Sequence, residues 1–264
     1  MSAFYFKQLR DVIDVSGVDA RKFLHSQLAN DISSLQIGHS RYSLLLEPTG
    51  KLTSLVRVRC DSEESFTLDC DAGFGEISVA RLGRFKIRIK CEISSQAREF
   101  VAVRNLSADE FAKFSKLENA VPAWREKDLA LDFASDHVAD KLAISDVSIG
   151  TEGEFETARV QALWPTMGVD MTSDSMPAET GLTDVAVSFT KGCYPGQELV
   201  ERMDSRGASA PRSLRLIRAV TGAKVGEPVV VDAQEIGIYT TVCQEFALAL
   251  IKRSADSSSI EIGA

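Results

Sequence analysis

The chain has 264 residues, is 44% hydrophobic and 26% charged, and carries a formal net charge of -8. That balance describes a globular chain with one large core or two to three smaller ones, and the acidic excess argues against broad electrostatic binding of nucleic acid. The opening residues show no basic segment followed by an apolar run, and no apolar stretch approaches the roughly 18 residues of a membrane span, so neither a signal peptide nor a membrane anchor is expected.

In chain order, residues 4–15 read as one or two short strands, and residues 19–35 read as a helix because Leu24, Leu28, Ile32 and Leu35 recur at helical spacing. Pro48, Thr49, Gly50 and Lys51 make a turn into an alternating strand over 52–60. A strand at 65–70, a helix near 74–85 and strands at 86–94 and 99–104 follow. Ser107 and Glu110 form a capping box ahead of Phe111, Phe114 and Leu117, so another helix starts there. Residues 121–180 alternate weakly, and 170–181 read as loop. A helix over about 196–204 sets Leu199, Val200 and Met203 on one face, and residues 207–211 look like a linker. Short β-type runs at 214–220, 228–231, 236–242 and 246–251 have the pattern of a small barrel or sandwich, and the Ser-rich last dozen residues are expected to fray. The class is α+β.

Five cysteines without C-x-x-C spacing fit a reducing cytosol and give no zinc or cluster signature. Cys60, Cys70 and Cys91 each continue an apolar strand face and read as small core hydrophobes. Cys243 follows strand-type residues. Cys193 alone lies in a turn-rich loop, between Gly192 and Gly196 and two residues after Lys191. A thiol reacts as thiolate, which a cation or a helix N-terminus favours; Lys191 offers the first and the helix opening at Gly196 the second. Glu198 in the first turn suits the helix dipole and opposes thiolate formation if it faces the sulfur. On spacing alone, a reactive thiol and a buried cysteine in a tight structural turn stay equally open. From Lys191 to Arg218 the basic residues Lys191, Arg202, Arg206, Arg212, Arg215 and Arg218 outnumber Glu198, Glu201 and Asp204, a local positive region. His25, His39 and His137 are scattered and define no metal site.

The run Lys191, Gly192, Cys193, Tyr194, Pro195, Gly196, Gln197, Glu198 resembles the signature of the YgfZ family, folate-binding proteins related to the T-protein (aminomethyltransferase) of the glycine cleavage system. Gly17-Val18-Asp19-Ala20, the segment Phe23-Leu24-His25-Ser26-Gln27-Leu28-Ala29-Asn30-Asp31, the Glu47-Pro48-Thr49-Gly50-Lys51 turn, Pro177-Ala178-Glu179, Val187-Ser188-Phe189, Arg212-Ser213-Leu214 and Gly237-Ile238-Tyr239-Thr240-Thr241 also resemble family segments in family order, with Ala29 replacing the usual threonine. The resemblance implies three subdomains in a ring around a central folate-binding cavity. Residues 1–49 begin the first subdomain, 50–120 build the second, 121–205 return to the first with the cysteine motif, and 206–264 form a C-terminal β-barrel. It further implies tetrahydrofolate or a one-carbon derivative as cofactor, a cytoplasmic role in assembly or repair of iron-sulfur enzymes linked to tRNA modification, and iron-sulfur clients or assembly factors as partners.

By the same resemblance Cys193 and Lys191 are the functional pair, Gly192, Tyr194, Gly196, Gln197 and Glu198 shape the site, and Asn30, Asp31 and Glu179 bind the cofactor. A folate asks for a carboxylate or amide at its pterin edge, an apolar wall and positive charge for its tail. Asp31, Glu179 and Glu198 are candidates for the first, Tyr194, Phe155 and Trp164 for the second, Arg202 and Arg206 for the third. Two other readings stand beside this one: aminomethyl transfer of the T-protein kind, and a folate-binding scaffold without catalysis. Against the transferase, the chain is shorter than the T-protein pattern, lacks its Gly-Tyr-Thr-Gly-Glu segment, and has only Asp71-Ala72-Gly73 where an Asn-Ala-x-Asn region is expected.

Overall fold

A computed structural model describes residues 2–134, 137–143, 147–205 and 210–255. Arg206 and most of the expected 207–211 linker lie outside the described residues. The first strand, β1 (Phe4–Ser16), is one long element and the axis of the fold. After α1 (Ala20–Gln27) come β2 (Ser40–Leu46), β3 (Leu52–Ser62), β4 (Ser65–Asp71), α2 (Gly75–Gly83) and β5 (Glu92–Arg104). Next are α3 (Ala108–Phe114), β6 (Ala120–Ala123), β7 (Ala130–Phe133), α4 (His137–Ala143), β8 (Ser148–Ile149) and α5 (Glu152–Gln161). Then α6 (Thr183–Ala186) and α7 (Gln197–Ser205) lead to β9 (Arg212–Arg218), β10 (Pro228–Val231), β11 (Gln234–Cys243) and β12 (Phe246–Lys252).

Strands run in the order β2-β3-β4-β1-β5-β7-β6, with β8 beside β1 as the parallel pair, in a sheet that curls into a half-barrel. Strand β1 pairs along most of its length with β4, from Arg10 opposite Asp71 to Ser16 opposite Ser65, and throughout with β5. The sheet is therefore continuous across residues 49 and 50 and across 120 and 121. Its two faces carry separate cores, as the two-residue period of a strand requires, and a third cluster with Val101, Val103, Leu131 and Phe133 lies against β5 and β7. On β2, Tyr42, Leu44 and Leu46 join Trp124, Trp164, Tyr194 and Val200 on one face, while Leu45 points to α1 and α2 on the other. The last described strands form a separate antiparallel sheet, β10-β11-β12-β9, where a small barrel is expected. Helix α5 packs on β11 and β12. No helix among the described residues is long and apolar enough to cross a membrane.

Three sequence expectations need correcting. The helix of 19–35 stops at Gln27, because Ala29 gives its N–H to Leu44, Asn30 gives its N–H to the Ser43 hydroxyl, and Asp31 accepts from the Ser33 backbone and side chain. Such local side-chain bonds compete with the helix. Leu28, Ile32 and Leu35 are buried as expected, but from extended and loop backbone. The strands at 86–94 and 99–104 are one strand, β5, which starts at Glu92; Cys91 is buried just ahead of it, and Ile87 is 75% exposed. Helix α5 was not foreseen in the weakly patterned 121–180 region.

Candidate functional site

The loop before α7 is set down on the turn between β2 and β3. Gly196 has φ +87, and a Cβ there would stand 2.7 Å from the Glu47 carbonyl oxygen and 2.9 Å from Gly50 Cα. Gly50 has φ +85, and a Cβ there would meet Leu199 Cβ at 2.6 Å. Two glycines thus let the loop and the turn meet backbone to backbone, in a region of φ that side chains resist. Tyr194 is the anchor: it is buried with Val200, and that burial, with Glu201 adding to it, pushes its hydroxyl up to about 12. Gln197 accepts from the Tyr194 N–H at 3.3 Å and donates to Glu201 at 2.5 Å.

Between Lys191 and Tyr194, Cys193 is exposed. It lines a depression of about 500 Å³ with Pro48, Glu198 and Glu201. Cys60, Cys70 and Cys91 are buried, and burial pushes the Cys70 thiol up to about 12 and the Cys91 thiol upward as well. Cys243, on β11, is half-buried, 3.1 Å from the Thr157 hydroxyl. The structural-turn reading of Cys193 required burial, and the side chain does not have it.

Lys191 points away from that depression, to the end of α1. Its ammonium donates to the carbonyls of His25 and, at 2.6 Å, Leu28, and lies 4.8 Å from the Tyr194 ring centroid. Burial pushes it down to about 8, with Asp31 and Cys193 pulling the other way. Asp31 sits beside it, 3.2 Å from His25 Nδ1. Burial raises the Asp31 carboxyl, but bonds from Ser33 and Ser34 and the nearby His25 outweigh that and hold it well below the usual carboxylate range. Burial and Lys191 lower His25, against the pull of Asp31. His25, Asp31, Ser33, Ser188, Thr190, Lys191 and Gly192 surround a cleft of about 280 Å³.

Other expected site residues lie in the scaffold. The Asn30 amide donates to the carbonyls of Tyr42 and Val185 at 2.8 and 2.9 Å, and its oxygen accepts from the Asp31 N–H at 2.8 Å. Glu179, buried, accepts from Arg212 and from the Met176 N–H. Glu198 and Arg202 are exposed on α7.

A wider, mostly apolar cleft of about 550 Å³ opens elsewhere, lined by Tyr42, Phe111, Pro122 and Trp124 with His39, Arg41 and Arg125 among its other residues. Trp164 and Phe155 stand behind its wall, 4.7 Å from Tyr42 and 6.0 Å from Trp124. The cleft meets the Lys191 cluster through Arg41, whose guanidinium donates to the Asp31 carbonyl at 2.5 Å and lies 3.6 Å from its carboxylate. Sequence reading missed Arg41. The one available signal was a basic and aromatic pairing in Arg41-Tyr42, which is too common to single out. Among the described residues no group of three or more His, Cys, Asp or Glu is placed to hold a metal ion.

This arrangement of sheets is the fold of the glycine cleavage aminomethyltransferase T: the structure of that protein from Bartonella henselae superposes with a TM-score of 0.76, at 20% identity, over 95% of this chain and 78% of that one. Among curated proteins, an uncharacterised protein of Haemophilus influenzae is 27% identical over 220 residues, 79% of this chain and 71% of its own length. A mitochondrial iron-sulfur cluster assembly factor homolog of Neurospora crassa is 25% identical over 233 residues, 81% of this chain, which spans 53% of that protein. An aminomethyltransferase of Bacillus cereus is 23% identical over 95% of this chain and 79% of its own length. No protein-family model matches the chain.

Proposed function

We propose that the protein binds tetrahydrofolate or a one-carbon derivative and supports assembly or repair of iron-sulfur enzymes through the Cys193 thiol, as its YgfZ-like motif implies. The observation that carries this reading is the placement of Cys193: exposed where Cys60, Cys70 and Cys91 are buried, on a loop held by paired glycines and a buried tyrosine. The relative from Neurospora crassa, named an iron-sulfur cluster assembly factor homolog, supports the same role.

The wide cleft offers the apolar wall and the positive charge that a folate asks for, while Asp31, Glu179 and Glu198 do not line it. Tyr42, Phe111 and Trp124 offer the apolar wall that a flat heteroaromatic ring system needs, and Arg41 and His39 offer cationic and hydrogen-bonding capacity for a carboxylate tail. Folate bound there would supply one-carbon carriage. The chain's own residues orient it and keep the thiol loop in place. Stacking thus passes from Tyr194, Phe155 and Trp164 to Trp124 in this reading, and tail binding from Arg202 and Arg206 to Arg41.

Aminomethyl transfer is the second reading, favoured by relatives that bear that name over most of the chain. Against it, Asp71 in the Asp71-Ala72-Gly73 segment is committed to the scaffold, paired with Arg10 at 3.2 Å and accepting from the Met167 N–H at 2.9 Å. Titration with tetrahydrofolate is expected to quench Trp124 fluorescence with micromolar affinity, about -8 kcal/mol. Flat calorimetry together with unchanged fluorescence would sink the folate claim. Cys193→Ser is expected to lose support of iron-sulfur enzyme activity; full support would favour the scaffold. Glycine-dependent turnover with a purified lipoyl carrier would favour the transferase.

A further inference from the structure

Helix α1 ends with carbonyls that its own backbone does not satisfy, as every helix C-terminus does. Here the usual donors are diverted: the Ala29 N–H goes to the Leu44 carbonyl, and the Ile32 N–H goes to His25 Nδ1. The carbonyls of His25 and Leu28 are both taken by the Lys191 ammonium instead. A cation is favoured at that end of a helix by the aligned peptide dipoles, and the Tyr194 ring 4.8 Å away adds attraction to the same charge. An ammonium held by two carbonyls and an aromatic face is poorly placed to exchange protons with a substrate. It is well placed to hold the segment on which it sits.

We propose that Lys191 is a positioning residue: its ammonium clamps the Lys191 to Tyr194 segment to the end of α1, and through that clamp and its charge it governs the reactivity of the Cys193 thiol. The proposal rests on the reading of Cys193 as the reactive group. It reassigns Lys191 from a member of the reacting pair to the part that presents it.

The clamp holds while Lys191 is charged, since the neutral amine loses one donor and the charge that strengthens the bonds. The titratable and charged groups that face it are His25 and Asp31 from α1 and the loop after it, Arg41 by way of Asp31, and Cys193 and Tyr194 on its own segment. Asp31 is held ionised, His25 is pushed toward its neutral form, and Tyr194 is pushed up to about 12. Lys191, pushed down to about 8 by burial, is therefore the facing group that changes charge near that pH, and Cys193 favours its charged form.

The test is the rate of Cys193 alkylation by iodoacetamide on the full chain, followed from pH 6 to 10 by mass spectrometry of its peptide. Wild type is expected to show, beyond the rise with pH common to all thiols, a second inflection from Lys191. Lys191→Arg, which cannot lose its charge, is expected to keep the wild-type rate at pH 7 and to show a single inflection. Lys191→Met, which has no charge to hold the segment on the α1 carbonyls, is expected to react at pH 7 at a rate clearly different from that of wild type. A Lys191→Met protein that reacts at the wild-type rate, or a second inflection that survives in Lys191→Arg, overturns the proposal. If Lys191→Met fails to fold by circular dichroism, the comparison of wild type with Lys191→Arg decides alone. Neither folate nor a client enzyme enters the assay, so failure of the folate reading and failure of the clamp are separate results.

Discussion

Asn30 shows what a single buried polar side chain can hold together. Its amide nitrogen bridges the carbonyls of Tyr42 on β2 and Val185 on α6, and its oxygen fixes the N–H of Asp31. An amide has two donors and an acceptor, so this geometry uses each of its groups. Asn30→Ala leaves the two carbonyls and one N–H to find other partners in a place with little water. The expected cost is about 2 to 3 kcal/mol, the range for orphaned buried groups, read as a lower midpoint in urea at unchanged slope. A midpoint within error of wild type would show that the carbonyls find other donors and that Asn30 is free for a ligand. The sequence singled out Asn30 and Asp31 through the resemblance of their segment to a family motif, as expected cofactor-binding residues. It could not show that they end a helix, since the apolar spacing of Leu24, Leu28, Ile32 and Leu35 is satisfied equally by a short helix followed by buried loop.

At the level of elements, the site depends on contacts between segments far apart in the chain. Gly196 was legible as a permissive residue before a helix; its need to be glycine comes from Glu47 and Gly50, which no local pattern connects to it. Gly196→Ala combines a positive φ with a Cβ 2.7 Å from a backbone oxygen, and backbone at both sides leaves little room to yield. The expected loss is more than about 1 kcal/mol, the scale for a side chain forced into an incompatible φ. It should be accompanied by faster amide exchange over residues 190–198 while the C-terminal sheet keeps its protection; equal exchange in both proteins would refute the clasp. Helix α5 illustrates the opposite case. Thr151 and Glu154 form a capping box as clear as that of Ser107 and Glu110, and both are present in the structure. The first was overlooked because no strong apolar period follows it: α5 buries Thr157 and Arg159 along with Ala158 and Val160. A helix that buries polar residues is hidden from a reading based on hydrophobic pattern.

The whole molecule is held by charges that such a reading assigns to solvent. Asp170 accepts from Arg159 and from the hydroxyls of Thr240 and Thr241, which ties the C-terminal sheet to α5 and explains what the Tyr239-Thr240-Thr241 segment does. Through the large sheet runs a longer chain of pairs, Asp71 with Arg10, Arg10 with Asp69, Asp69 with Arg57, Arg57 with Asp132, and Asp132 with Arg104, joining β4, β1, β3, β7 and β5. Arg57 and Arg104 are each 1% exposed, so the two cations depend on Asp132 and their other partners for compensation. Burial raises the Asp132 carboxyl, but Arg104, Arg57 and Arg10 outweigh it and hold it below the ordinary value. A carboxyl lowered in the folded state stabilises the fold above its unfolded pKa, near 4, and loses that contribution as pH falls through it toward the folded value. The urea midpoint is therefore expected to hold from about pH 7 to 5 and to fall below about pH 4. Asp132→Asn takes from buried Arg104 the carboxylate it pairs with and leaves Arg57 with Asp69, so it should cost about 3 kcal/mol or more at pH 7. It should also flatten the acid limb, because the group whose protonation produced part of that limb no longer titrates. An Asn variant that is much less stable at pH 7 and yet loses stability in acid as steeply as wild type would place the acid sensitivity in other carboxylates and leave Asp132 a partner in packing alone.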